Sequence, residues 1–102
     1  MTTPETMIQC LIDDAQLSLE ELSRASAVPP QWVVERVEAG LLAELEGPPA
    51  NWRFEAVTVV RARCMARLER DFDAVPELAA LVADLEDELA QLRARLQRQG
   101  IL

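Results

Sequence analysis

The chain has 102 residues, enough for one small domain, and 18 acidic side chains against 10 basic ones give it a formal charge of −8. Half of the residues are hydrophobic and 27% are charged, too apolar a balance for a disordered chain. Every basic residue is Arg, and with no His and no Lys there is no imidazole base, Ser-His or Cys-His nucleophile pair, histidine zinc ligand, P-loop lysine or Schiff base.

The expected protein is therefore not an enzyme and carries no metal or cofactor. Met7 to Ile12 is a short apolar run closed by Asp13-Asp14, and it reads as an edge strand. Ser18-Leu19-Glu20-Glu21 has the spacing of a capping box, so a first helix of about two turns starts there and reaches roughly Ser26. Pro29-Pro30 breaks the chain and Pro30 fits the first turn of a second helix, Gln31 to Ala39, which Gly40 can cap in the left-handed conformation. Two short helices across a tight turn make a helix-turn-helix.

Leu41 to Leu45 and Trp52-Arg53-Phe54 are strand-like runs flanking the turn-rich Glu46 to Asn51, the pattern of a small β wing. Trp52 and Phe54, two apart, point to one face and pin that wing to the core, whereas Trp32 fits either the core or an interface. A third helix runs from Glu55 to about Phe72, with Ala56, Val59, Val60, Cys64 and Leu68 on one apolar stripe and Arg63, Arg67 and Arg70 on another face. Cys10 and Cys64 match no metal or redox spacing and read as buried free thiols of a cytoplasmic protein.

After a break at Asp73 to Pro76, Leu78, Val82, Leu85, Leu89, Leu92 and Leu96 recur at spacings of four and three, an a/d seam. A lone helix with such a stripe is marginal in water, so the seam meets either a second copy of the chain or the third helix. Asp84, Glu86, Asp87 and Glu88 precede Arg93, Arg95 and Arg98, which favours an antiparallel homodimer and also suits the helix dipole. The resulting fold class is mainly α: a winged helix-turn-helix over residues 1–73, including the third helix, joined in one structural unit to a coiled-coil-type dimerisation helix over 74–102.

A winged helix-turn-helix invites a DNA-binding reading, and the charges oppose it. Residues 1–50 hold nine acids and two bases, Arg24 and Arg36, and the second helix offers one Arg between two Glu. Arg53, Arg61, Arg63, Arg67 and Arg70 could meet phosphates, but that set lacks base-reading amides and aromatics and balances nearby acids more simply. No apolar run approaches the about 20 residues a membrane span needs, and the acidic half suits a basic partner.

The order of parts, with Glu38-Ala39-Gly40-Leu41-Leu42, Trp52-Arg53-Phe54, an Arg-rich helix ending Arg67-Leu68 and a leucine-zippered C-terminus, resembles the CbpM family of bacterial chaperone-modulatory proteins. That resemblance covers Leu17 to Gln97 and implies a fold related to the MerR-type DNA-binding domain. It also implies binding to the J-domain of the DnaJ homologue CbpA, which blocks stimulation of the Hsp70 DnaK and weakens DNA binding by CbpA. J-domains present a basic helix, so the resemblance places partner contacts among Glu20, Glu21, Glu35, Glu38, Glu44 and Glu46, with a MerR-type DNA-binding regulator as the alternative.

Overall fold

The computed structural model describes residues 16–101, and the expected edge strand at Met7 to Ile12 and Cys10 lie outside them. Four α-helices are present among the described residues: α1 (Leu19–Ser26), α2 (Pro30–Glu38), α3 (Val57–Phe72) and α4 (Pro76–Arg98). The Ser18 hydroxyl accepts from the Glu21 N–H at 3.2 Å and the Glu21 carboxylate accepts from the Ser18 N–H at 2.8 Å, so the capping box forms as its spacing requires. The Ser18 backbone N–H, and after it the Ser18 hydroxyl, favour the charged form and hold the Glu21 carboxyl below its ordinary value.

The β wing is a correction. Among the described residues the extended pairing is a single antiparallel bridge, Leu17 with Phe54, its two N–H···O bonds both 2.8 Å. Leu41 to Leu45 forms no ladder because its first groups are already used: the Leu41 N–H closes the end of α2 on the Arg36 carbonyl, and the Leu41 carbonyl accepts from Arg61 Nε at 2.9 Å. Pro48 and Pro49 have no N–H to pair, and the chain turns there through one 3₁₀ turn, Pro49–Asn51.

Trp52 and Phe54 are buried edge to face with centroids 6.2 Å apart, and Trp52 Nε1 donates to the Gly47 carbonyl at 3.1 Å. The loop is thus pinned to the core without strands. Around these rings the core gathers Leu22 of α1, Val33 and Val37 of α2, and Val59, Ala62 and Met65 of α3. The stripe expected on α3 is rotated: Val60 is 55% exposed, while Ala62 and Met65 are fully buried, because α1 and α4 both pack on this helix.

All four helices end on a left-handed residue, and in α1 and α3 that residue is not glycine. Gly40 and Gly100 close α2 and α4 at φ of +74° and +76°, with the following N–H reaching back to Arg36 and Leu96. At the turn between α1 and α2 that place belongs to Ala27, at φ 58°, with the Val28 N–H bonded to the Ser23 carbonyl at 3.1 Å. A Cβ is disfavoured in this conformation and Ala27 is exposed, so Ala27→Gly is expected to stabilise the fold by about 1 kcal/mol, read from urea unfolding.

Candidate functional site

The α1–α2 half carries the expected partner residues. Glu20, Glu21, Glu35, Glu38, Glu44 and Glu46 are all exposed, the first pair on the opening turn of α1, the second on α2, and the third on the segment that follows it. Glu35 and Glu38 sit three apart, neighbours on the helix surface. Two of the six have intramolecular duties, since Glu21 closes the capping box and Glu35 lies 3.1 Å from Arg36. Glu20, Glu38, Glu44 and Glu46 take part in none of the ion pairs among the described residues.

The sign of this surface depends on a clasp that sequence reasoning missed. Glu69 of α3 accepts from Trp32 Nε1 at 3.0 Å and from Arg36 Nε at 3.3 Å, and a second Arg36 nitrogen lies 2.5 Å from its carboxylate. The Arg36 guanidinium also stacks over the Trp32 ring, 4.7 Å from its centroid. The Arg36 and Glu69 side chains are only 13% and 16% exposed, so the one base of α2 is spent inside the molecule. Trp32 is half-buried and its indole N–H is satisfied, which answers whether it belongs to core or interface: it ties α2 to α3.

The arginines of α3 are likewise engaged. Arg61 donates to the Leu41 carbonyl and lies 2.5 Å from Asp84, and Arg63 donates to the Ala25 carbonyl at 3.1 Å, so each holds the C-terminal end of a neighbouring helix. Arg67 lies 3.6 Å from Glu86, and Arg70 is 2.9 Å from Asp71. The half-buried Cys64 is a free thiol donating to Glu86 at 3.2 Å, and burial together with that carboxylate pushes its pKa up, away from the reactive thiolate.

The last helix is apolar on two sides. Its inner side is built of Ala79, Ala80 and Ala83, all buried against the core, with Val82 at its edge half-buried. Leu78, Leu81, Leu85, Leu89 and Leu92 are each 45–55% exposed, and Leu96 is half-buried. Most of the seam's leucines therefore do not pack on α3. Among the described residues no helix is long and apolar enough to cross a membrane.

Comparison with known proteins places this arrangement in context. Residues 17–99 match the model of a MerR HTH family regulatory protein. The chain is similar to proteins named chaperone modulatory protein CbpM: 31% identical to one from Coxiella burnetii (strain Dugway 5J108-111) over 79% of this chain and 76% of the relative. It is 29% identical to another from Pseudomonas entomophila (strain L48) over 78% of each. No solved structure matches the chain.

Two measurements test the local chemistry. Glu69→Ala strands the Trp32 indole N–H and leaves Arg36 with Glu35 alone, and is expected to cost about 2–3 kcal/mol in urea unfolding, with a shift in Trp emission. Glu21→Ala is expected to destabilise the protein near neutrality; because the Glu21 pKa is lowered on folding, its contribution exists above the unfolded value and disappears as pH falls through the folded one. The stability gap between wild type and variant should close on acidification.

Proposed function

The chain belongs to the chaperone modulatory protein CbpM family, within the MerR helix-turn-helix regulatory class, and from that premise we propose that it binds the J-domain of a DnaJ-like co-chaperone of the CbpA type. Binding would block the co-chaperone from stimulating its Hsp70, DnaK, and weaken its hold on DNA. Such an inhibitor needs a surface that competes for a basic helix, and no catalytic machinery.

The observation that carries this reading is the exposure of all six glutamates in the α1–α2 half. Residues 16–50 hold six acids and two bases, and one of those bases, Arg36, is clasped by Glu69. Glu20, Glu38, Glu44 and Glu46 are proposed as the principal contacts to the J-domain, with Glu35 and Glu21 contributing beside their intramolecular bonds. Complementary charge speeds encounter and selects a basic partner over others. We also propose that the protein works as a cytoplasmic homodimer joined through Leu78, Val82, Leu85, Leu89, Leu92 and Leu96.

A duplex-DNA regulator is the second reading, carried by the match to the MerR family model. The acidic α2 weighs against it, as do the bonds that occupy Arg61, Arg63, Arg67 and Arg70, since phosphate neutralisation drives DNA binding.

Isothermal titration calorimetry against the J-domain of the co-chaperone from the same bacterium tests the proposal at two salt concentrations. A micromolar or tighter complex that weakens with salt is expected, and Glu35→Lys with Glu38→Lys should weaken it by about tenfold or more. No complex with a folded wild-type protein sinks the J-domain reading, as does sub-micromolar specific binding to duplex DNA at physiological salt.

A further inference from the structure

An open groove of about 310 Å³ lies between the first half of α3 and the middle of α4. Leu42, Val57, Val60, Ala83 and Ala90 give it apolar walls, and the half-buried Cys64 thiol stands among them. Val57 and Val60 are 54% and 55% exposed, although both belong to the apolar side of α3 that faces this groove. The charged residues that line it already have partners: Arg61 has Asp84, Glu86 has Arg67, and Asp87 accepts from Gln91. Such a groove fits an apolar occupant without charge.

The chain that leads into Leu17 arrives from this side. In the antiparallel bridge of Leu17 with Phe54, Gln16 falls beside Glu55, and that direction leads on to the first turn of α3. This turn has no side-chain cap among the described residues and contains no acid, so its N–H groups and positive dipole end suit a carboxylate. The sequence before Gln16 supplies two, Asp13 and Asp14. Before them stands Met7-Ile8-Gln9-Cys10-Leu11-Ile12, a run with no charged side chain.

We propose that residues 7–14 form an arm that caps α3 with Asp13 and Asp14 and lays Ile8, Cys10 and Ile12 into the α3–α4 groove, over Val57 and Val60 and beside Cys64. The lengths agree. Four extended residues from Asp14 to Cys10 cover about 13 Å, and seven residues of helix from Val57 to Cys64 rise about 10 Å. In an extended run alternate side chains share a face, which groups Ile8, Cys10 and Ile12. Because the arm is tethered a few residues away, its effective concentration is of millimolar order, and a separate apolar partner has to compete with it. The leucines of α4 do not line this groove, so the arm and the dimer seam are independent, and neither the dimer nor the J-domain reading is needed for it.

The two cysteines of the chain supply the test. Diamide, an azo oxidant, takes up two electrons and two protons from two neighbouring thiols and leaves a disulfide. With Cys10 and Cys64 as the two thiols of the sequence, an intramolecular disulfide can join no other pair. The full chain at low micromolar concentration is expected to yield a monomer lighter by two hydrogens in mass spectrometry. Ile8→Asp with Ile12→Asp should slow that reaction about tenfold or more, and Asp13→Asn with Asp14→Asn about threefold. Circular dichroism should show both variants folded, since the core is built from residues 17 onward. A folded wild-type chain that forms no intramolecular disulfide, or links only one chain to another, overturns the proposal. A wild-type rate in the Ile8 and Ile12 variant overturns the seated arm, and a wild-type rate in the Asp13 and Asp14 variant overturns the cap.

Discussion

The Glu69 carboxylate fixes both the place and the charge of the surface that faces outward. Helix α2 has nine residues and buries only Val33 and Val37, too little to hold so short a helix by itself. Glu69 reaches it from α3, taking the Trp32 indole N–H and the Arg36 guanidinium together, and the Arg36 plane lies over the same indole ring. A nearly buried carboxylate with donors on both oxygens is a stable arrangement, whereas either partner alone would leave an unpaired buried charge. By holding Arg36 against Glu69 and Glu35, the clasp leaves Glu38 as the unpaired charge of α2. Packing and surface charge are consequences of one contact.

The same economy explains why the arginines of α3 form no broad basic face. Arg61 and Arg63 are directed at main-chain carbonyls, at Leu41 just past α2 and at Ala25 in the last turn of α1. Helix C-termini offer unpaired carbonyls and a negative dipole end, and guanidinium groups satisfy both. A helix-turn-helix that binds duplex DNA needs its arginines turned outward to phosphate. Here α3 turns two of them toward the helices that a DNA reader would present, so the scaffold shared with DNA-binding regulators carries an acidic outer surface.

Much of this was legible from local sequence signals. Ser18 and Glu21 announce a helix start because the two side chains bond each other's backbone across three residues, and nothing distant needs to be known. Gly40 and the Pro29-Pro30 break work the same way. The expected wing failed because strand propensity in Leu41 to Leu45 says nothing of where its backbone groups are already committed, to Arg36 and Arg61. Glu69 was invisible for the same reason: between Arg67 and Arg70 it reads as a surface charge, and its partners lie 37 and 33 positions away in the chain. A Trp and an Arg at i and i+4 on α2 were the available clue to a carboxylate partner.

The two sides of α4 separate folding from assembly. Alanines at 79, 80 and 83 let its backbone come close to the core, and they are buried there without help from the leucines. The core of Leu22, Val33, Phe54, Val59 and Met65 is complete with the leucine face still in water. Exposed leucines at helical spacing contribute nothing to that core, and as a contiguous apolar patch they favour association. Helix α4 therefore folds with one face and leaves the other in water.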